Sequence, residues 1–333
     1  MPRLKIVSPD QLELRRRRCG RGFSYVDAAG ERITDKTALA RFRALAIPPA
    51  YSQVRIASDE RAHIQAIGRD EAGRLQYRYH PEWERRRENR KTLNMMKLVR
   101  TLPRIRAAIR RDLASPKLDR NKAVACAVAL IDSTHIRVGG EAYARDNGSH
   151  GAATLLKRHV TITASRVELR FRGKGGKPIR RRAEDAALAR ALARLRTLSG
   201  PRLFQFVDAE GARHTIEADD INAYLRSISG IDVTAKDLRL LGASKWAVQE
   251  LAALTPARSM AGRKRQIAAV MRQVSYHLVN TPAVVRKSYV PALIIDSFKT
   301  GRLHTAFMKA RSSGYRRRAE AALGLLAPKE PTV

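Results

Sequence analysis

The chain has 333 residues, 44% of them hydrophobic and 5% aromatic, which suits one large globular domain or two ordinary ones. Lys and Arg total 66 against 31 Asp and Glu, a formal net charge of +35. That excess excludes a neutral metabolic enzyme with a basic tail, because it is spread: residues 1–90 carry 20 basic and 12 acidic side chains, and the remainder carries 46 and 19. A folded chain this basic is expected to neutralise a polyanion, with steep salt dependence from counterion release. An anionic membrane or a generally Arg-rich composition are the other sources of such a charge.

Taken in chain order, Gly22–Ile33 predicts a hairpin around an Asp27–Gly30 turn, and Ala38–Leu45 a short helix stopped by Pro48-Pro49. Val54–Ile67 and Leu75–Tyr79 predict strands joined across a Gly68–Gly73 turn. Tyr77 and Tyr79 would share one face of such a strand, with Gln76 and Arg78 on the other. From Glu82 the pattern turns helical: Trp83–Leu98 is charged, Leu102–Leu113 has helical apolar spacing, and Lys122–Ile131 is an apolar run that predicts a buried helix. A domain boundary is expected near residues 81–90. Within the helical part, His159–Thr163 and the alternating Val167–Arg172 predict strands, with a Gly173–Lys177 turn and a return from Pro178. Helices are then predicted over 184–198, 218–228, 235–254, 263–278 and 282–298. Ala327–Val333 predicts a frayed tail. The fold class expected is α+β: a β-rich domain over 1–85 and a larger, mainly helical domain over 86–333 containing a small β-hairpin sheet.

Only Cys19 and Cys126 are present, 107 positions apart, so no C-x-x-C zinc or redox motif exists. Met1–Lys5 lacks the apolar run of a signal peptide, and Ala123–Ile131 is too short to span a bilayer. A cytoplasmic, nucleoid-associated protein is expected.

Nucleic-acid chemistry needs identifiable parts. A metal-dependent nuclease clusters carboxylates, but the sequence has neither a D-x-D pair nor H-E-x-x-H. An ATP-driven enzyme carries G-x-x-x-x-G-K-[ST]; Gly173–Lys177 has the wrong spacing, with Pro178 following. No cofactor or metal is therefore called for. Metal-free phosphoryl transfer instead needs a side-chain nucleophile, cations around the transition state and an acid for the leaving oxygen. Arg137 precedes Gly139-Gly140, glycines that would let backbone approach a phosphate, although a helix-end cation before a glycine cap reads the same way. Lys174 lies at a hairpin tip between glycines, where an ordinary solvated lysine is also common. Arg239 lies within an apolar helical run and must snorkel, pair or face a ligand. Tyr289 follows Arg286-Lys287-Ser288 in a segment without strand alternation, though most tyrosines are core residues.

Each signal alone is weak; their order is specific. Arg137-Val138-Gly139-Gly140-Glu141, Tyr143, Asn147-Gly148-Ser149, Lys157-Arg158-His159-Val160, Phe171-x-Gly173-Lys174, Lys236-Asp237-x-Arg239 and Lys287-Ser288-Tyr289 together resemble the type IB DNA topoisomerases, most of all their compact bacterial and viral branch. His63–Asp70 and Gln76–His80 resemble that family's DNA-contacting strands. The resemblance implies a bilobed clamp that closes, as a monomer, around duplex DNA and relaxes supercoils without ATP or metal. It implies that Tyr289 attacks a backbone phosphate to form a 3′-phosphotyrosyl link, that Arg137 and Arg239 hold the nonbridging oxygens, and that Lys174 protonates the leaving 5′ oxygen. DNA contacts are expected from Gln76, Tyr77, Arg78, Tyr79, Tyr143, Lys157, Lys236, Arg286 and Lys287, the last two also lending positive field to Tyr289.

The chain departs from the family pattern. Asn280 stands nine residues before the nucleophile, where many members carry histidine. An amide can still donate to a phosphate oxygen but cannot shuttle a proton. His277, one turn earlier, reads as structural. Leu240-Leu241 stands where Thr and an aromatic are expected, and Gly140 replaces a more usual Asn. Two other readings stay open. A tyrosine recombinase shares this logic but typically has H-x-x-R where this chain has Lys236-x-x-Arg239. A non-enzymatic DNA-binding protein would need all five site positions to be coincidental.

Overall fold

The computed structural model describes residues 3–327; the predicted tail beyond Ala327 lies outside them. The chain divides into two units, one up to Arg90 and one from Lys91 onward. The division falls inside a single helix, α2 (Pro81–Ala114), which covers both segments read separately in the sequence. Pro103 lies within this helix.

The first unit is a five-stranded antiparallel sheet of order β2-β1-β3-β4-β5 with one helix of its own and the start of α2. Its strands are β1 (Leu14–Cys19), β2 (Gly22–Val26), β3 (Ser52–Ile56), β4 (Ile64–Arg69) and β5 (Leu75–Tyr79). The principal hairpin differs from the one expected. β1, the run Leu14-Arg15-Arg16-Arg17-Arg18-Cys19, pairs in full register with β2. The expected Asp27–Gly30 turn also forms, but its return is short: a Val26–Arg32 bridge, with the Asp27 amide donating to the Glu31 carbonyl at 3.0 Å and the Ile33 amide to the Tyr25 carbonyl at 2.9 Å. Four consecutive arginines hid this strand because they erase the apolar alternation that marks one; Arg16 is nonetheless committed, donating to the Ile47, Pro48 and Tyr51 carbonyls. Val54–Ile67 is two strands, split by the Ala57–His63 connection. Helix α1 (Lys36–Ala44) starts where the Asp35 side chain accepts from the Ala38 amide at 2.7 Å and buries Phe42 against Val54, Ile56 and Ala66.

The second unit has one continuous core. At its centre is α3 (Arg120–Thr134), capped by Asp119, with Ala123–Val128 at no more than 1% exposure. A helix buried on every side reads as an unbroken apolar run rather than a stripe, which is why it was legible. The three-stranded sheet β6 (Val160–Ile162), β7 (Arg166–Arg172), β8 (Pro178–Glu184) is antiparallel in that order. The short helix α4 (Glu141–Asn147) and the hairpin β9 (Gln205–Val207), β10 (Arg213–Thr215) were not predicted from the sequence, nor were the helices beyond residue 299. The helices α5 (Ala186–Leu195), α6 (Ala218–Ser229), α7 (Ala235–Ala252) and α8 (Met260–Leu278) follow the predicted periodic segments.

The predicted helix over 282–298 is instead α9 (Pro282–Ser288) and α10 (Ala292–Lys299). Pro291 explains the break: it has no amide to continue the helix and disfavours helical geometry at Val290. Then come α11 (Arg302–Lys309) and α12 (Tyr315–Leu326). Helix α12 buries Ala319, Ala322 and Leu323 completely. No helix among the described residues is long and apolar enough to cross a membrane.

Candidate active site

The break at Pro291 makes Tyr289 the C-terminal cap of α9, half-buried, with its amide bonded to the Val285 carbonyl at 2.9 Å. The Ser244 hydroxyl of α7 donates to the Tyr289 carbonyl at 3.3 Å. These two bonds anchor the Tyr289 backbone at the end of α9.

Arg239 sits within α7 at 6% exposure, its guanidinium carbon 5.5 Å from the Tyr289 ring centroid. It donates through Nη1 to the His135 carbonyl and through Nη2 to the Leu278 carbonyl. These carbonyls end α3 and α8, the negative poles of two helices. Both ends turn through a left-handed residue that is not glycine, His135 (φ 54°) and Val279 (φ 51°). For a β-branched residue such as Val279 that conformation is strained. Burial and the neighbouring Arg137 push the Arg239 pKa down to about 10, still protonated at neutral pH.

Arg137 lies past the end of α3, in the loop leading to α4. This loop is stitched to residues 151–153: the Ala152 amide donates to the Arg137 carbonyl and the Ala153 amide to the Val138 carbonyl, both at 2.8 Å. Gly139 (φ 82°) and Gly151 press together here, and a Cβ on Gly139 would stand 2.8 Å from the Gly151 backbone. The first glycine after Arg137 therefore serves a close approach of two loops, and Gly140 becomes the N-cap of α4. Arg137 donates from Nη2 to Asn280 Oδ1 at 3.1 Å. The Asn280 Nδ2 and Arg239 Nε groups are buried without a hydrogen-bond partner among the described residues.

Burial pushes the Tyr289 phenol up, but Arg239 and Arg137 outweigh it and hold the pKa below the ordinary tyrosine value. The Asn280 amide is near enough to add to this without a hydrogen bond of normal geometry. The cations acting most strongly on the phenol thus come from distant parts of the chain. Arg286 and Lys287, its neighbours in sequence, are exposed on α9.

A cleft of about 750 Å³ opens onto this group, lined by Arg137, Tyr143, Lys174, Lys236, Arg239 and Tyr289 among others. Lys174 is exposed in the tight turn between β7 and β8, which positions it at the rim. Four of the five predicted catalytic residues therefore line one cleft, and the fifth, Asn280, is hydrogen-bonded to one of them. His277 is outside this set: its ring stacks on Trp246 at 4.6 Å.

The other predicted contacts are dispersed. Tyr143 is 66% exposed on α4. Lys157 does not line the cleft; its ammonium donates to the Leu198 carbonyl. In the first unit, Tyr77 and Tyr79 stack with centroids 5.8 Å apart, so they do share a face of β5. Gln76 donates to Asp70 and Arg78 to the Ala46 carbonyl. His63 and Gln65, expected on a DNA-contacting strand, are buried, and Gln65 bonds the Glu60 and Ala62 carbonyls. Two residues in or beside the cleft carried no clear signal in sequence. His150 lines the cleft with its Nδ1 on the Thr154 carbonyl, and Arg181 lines an adjoining pocket. The Asn147-Gly148-Ser149 motif stops one residue before His150, and Arg181 is masked by the basic run Arg180–Arg182.

Comparison with known proteins agrees with this geometry. The model of the family described as "Eukaryotic DNA topoisomerase I, catalytic core" matches residues 81–300. That of "Bacterial DNA topoisomerase IB, N-terminal domain" matches residues 22–70. The chain is 33% identical over 276 residues to the DNA topoisomerase 1B of Acanthamoeba polyphaga mimivirus, covering 81% of this chain and 82% of that protein. It is 22% identical over 238 residues to the DNA topoisomerase 1B of vaccinia virus (strain Copenhagen), covering 70% and 72%. The chain therefore belongs to the type IB DNA topoisomerase family, which makes it an isomerase that acts on DNA.

Proposed function

We propose that this topoisomerase relaxes supercoiled duplex DNA through a transient 3′-phosphotyrosyl intermediate at Tyr289, without ATP or metal. The observation that carries the proposal is the placement of Tyr289 in one open cleft with Arg137 and Arg239, arginines from separate elements, and with Lys174 at the rim. In the forward step the Tyr289 oxygen, its proton lost to solvent, forms a bond to phosphorus. The bond from phosphorus to the 5′ oxygen breaks, and Lys174 supplies the proton that oxygen needs. Arg137 and Arg239 hold the nonbridging oxygens, where negative charge builds as the phosphorane forms. Asn280 offers its unpaired Nδ2 to the same oxygens. Resealing is the reverse: the 5′ hydroxyl returns its proton to Lys174, attacks phosphorus and expels the phenolate. The number of phosphoester bonds is conserved, so no external energy source is needed. Between the two steps the free end swivels.

DNA would be held near the cleft by Tyr143, Lys236, Arg286 and Lys287, and in the first unit by the stacked Tyr77–Tyr79 face. We take the protein to act as a monomer on the nucleoid in the cytoplasm. A recombinase would require a surface for assembling protomers. Here α12 is engaged within its own chain, through buried alanines and the Glu320 ion pairs with Arg106 and Lys245.

The test is relaxation of negatively supercoiled plasmid in EDTA without ATP. A ladder moving to relaxed circles is expected. Intact supercoils despite a gel shift would overturn the proposal, as would covalent protein–DNA adducts that persist in Tyr289→Phe.

A further inference from the structure

Arg239 would act on a phosphate only if its guanidinium is held at a fixed angle, and two backbone carbonyls hold it. Those carbonyls belong to His135 and Leu278, at the ends of α3 and α8. What keeps two separate helix ends in register is therefore part of the site.

One side chain touches both ends. The Trp246 ring meets the His135 imidazole edge-on, with centroids 4.9 Å apart at 86°. It lies nearly parallel to the His277 imidazole, with centroids 4.6 Å apart at 24°. His135 carries one of the two carbonyls, and His277 immediately precedes Leu278, which carries the other. Trp246 lies on α7, the helix of Arg239, two turns further on and so on the same face. Between them, one turn from Arg239, is Gly242. A Cβ there would stand 2.5 Å from the His135 ring, so the imidazole occupies the space that glycine leaves. The face Arg239–Gly242–Trp246 thus carries the clamped guanidinium, the slot for His135 and the platform that aligns both clamping helices. His135 is buried, and burial beside Lys245 and Arg239 holds its pKa down to about 3. The ring stays neutral and adds no charge to Arg239.

We infer that Trp246, acting with Gly242 through His135 and His277, is a positioning residue for Arg239. The inference rests on the reading of Arg239 as a phosphate-binding group. It touches no reacting atom; its effect is to fix the carbonyl pair that orients the guanidinium.

The test is a double-mutant cycle read by single-turnover formation of the covalent adduct on a labelled duplex, at saturating protein. Trp246→Ala is expected to slow cleavage by about 10²-fold, the scale of an ångström-level misplacement, with DNA affinity little changed. Trp246→Phe, which keeps a stacking ring, should recover most of the rate. In an Arg239→Ala background, Trp246→Ala should cause no further slowing, because residues acting as one unit are not additive. Equal slowing in both backgrounds would overturn the inference. So would a wild-type cleavage rate in Trp246→Ala accompanied only by a lower melting temperature. If Trp246→Ala is too unstable to purify, Gly242→Ala carries the same cycle, since its methyl group displaces His135. A wild-type rate for Arg239→Ala alone would instead overturn the reading of the site, and the inference with it.

Discussion

Arg137 Nη2 donates a 3.1 Å hydrogen bond to Asn280 Oδ1. This bond joins the loop after α3 to the turn after α8 and leaves the Asn280 Nδ2 buried without a partner among the described residues. The amide is oriented by Arg137, so its donor is fixed before any phosphate arrives. Loss of one preorganised donor of this kind costs about 10²–10³ in rate. Asn280→Ala should therefore slow single-turnover cleavage by about 10²-fold. Asn280→Asp should be slower still, since a carboxylate would repel the phosphate and lift the Tyr289 pKa. Equal rates for wild type and Asn280→Ala would remove the amide from the mechanism.

The depressed Tyr289 pKa fixes the sign of the pH dependence. Cleavage should rise with pH as the phenolate forms and level off below the usual tyrosine value near 10. Arg239→Ala should move that midpoint upward, because it removes the strongest favourable charge on the phenolate. Single-turnover rates across the alkaline range would show both. The same shift contributes fully to folding stability above the unfolded tyrosine pKa, and the contribution is lost as pH falls through the folded one. Melting temperature near neutrality should therefore be indifferent to Tyr289→Phe on this account.

If Lys174 protonates the leaving oxygen, its loss should matter only when that oxygen needs a proton. Lys174→Ala should slow cleavage by about 10²–10⁴-fold on ordinary DNA. On a duplex whose scissile 5′ oxygen is replaced by sulfur, a thiolate leaves unprotonated at neutral pH far more readily, and the deficit should largely vanish. A deficit of the same size on both substrates would assign Lys174 to binding instead.

Arg106 forms a bidentate pair with Glu320, at 2.8 Å on each arm, while Lys245 reaches the same carboxylate at 3.0 Å. Arg106 also bonds Asp132 at 3.1 Å. This network ties α12 to α2, α3 and α7. Glu320→Ala would take the paired carboxylate from the buried Lys245 and the partly buried Arg106, and should cost about 3 kcal/mol, read by chemical denaturation. Burial alone would raise the Glu320 and Asp132 pKa values, but Arg106 and Lys245 hold both below their ordinary values. Their contribution is complete above the ordinary carboxylate range and is lost as pH falls through the depressed values. Wild-type protein should thus lose stability in acid more steeply than Glu320→Gln.

Much of this protein was legible from short-range pattern. The buried run of α3, the alternation of β7 and the succession of helices from α5 to α8 follow from periodicity, which needs only neighbouring residues. The spread of 66 basic side chains pointed to a polyanion, and the order of Arg137, Lys174, Arg239, Asn280 and Tyr289 along the chain pointed to the family. The sequence also contained Pro291, whose missing amide ends α9 at Tyr289, although the segment reads as one helix until that constraint is weighed. β1 was hidden, because four arginines in a row look the same in a strand or a loop.

The tertiary structure alone decided which groups act on one another. Adjacency in sequence nominated Arg286 and Lys287 as the cations beside the phenol; packing supplied Arg239 and Arg137. It placed Arg239 between the ends of two helices, set Gly139 against Gly151, and turned Lys157 to a carbonyl and away from the cleft. Local propensity and periodicity act over a few residues, so composition and spacing reveal them. Electrostatic coupling and burial depend on distances in space, and chain segments more than a hundred residues apart acquire those distances only when the core packs.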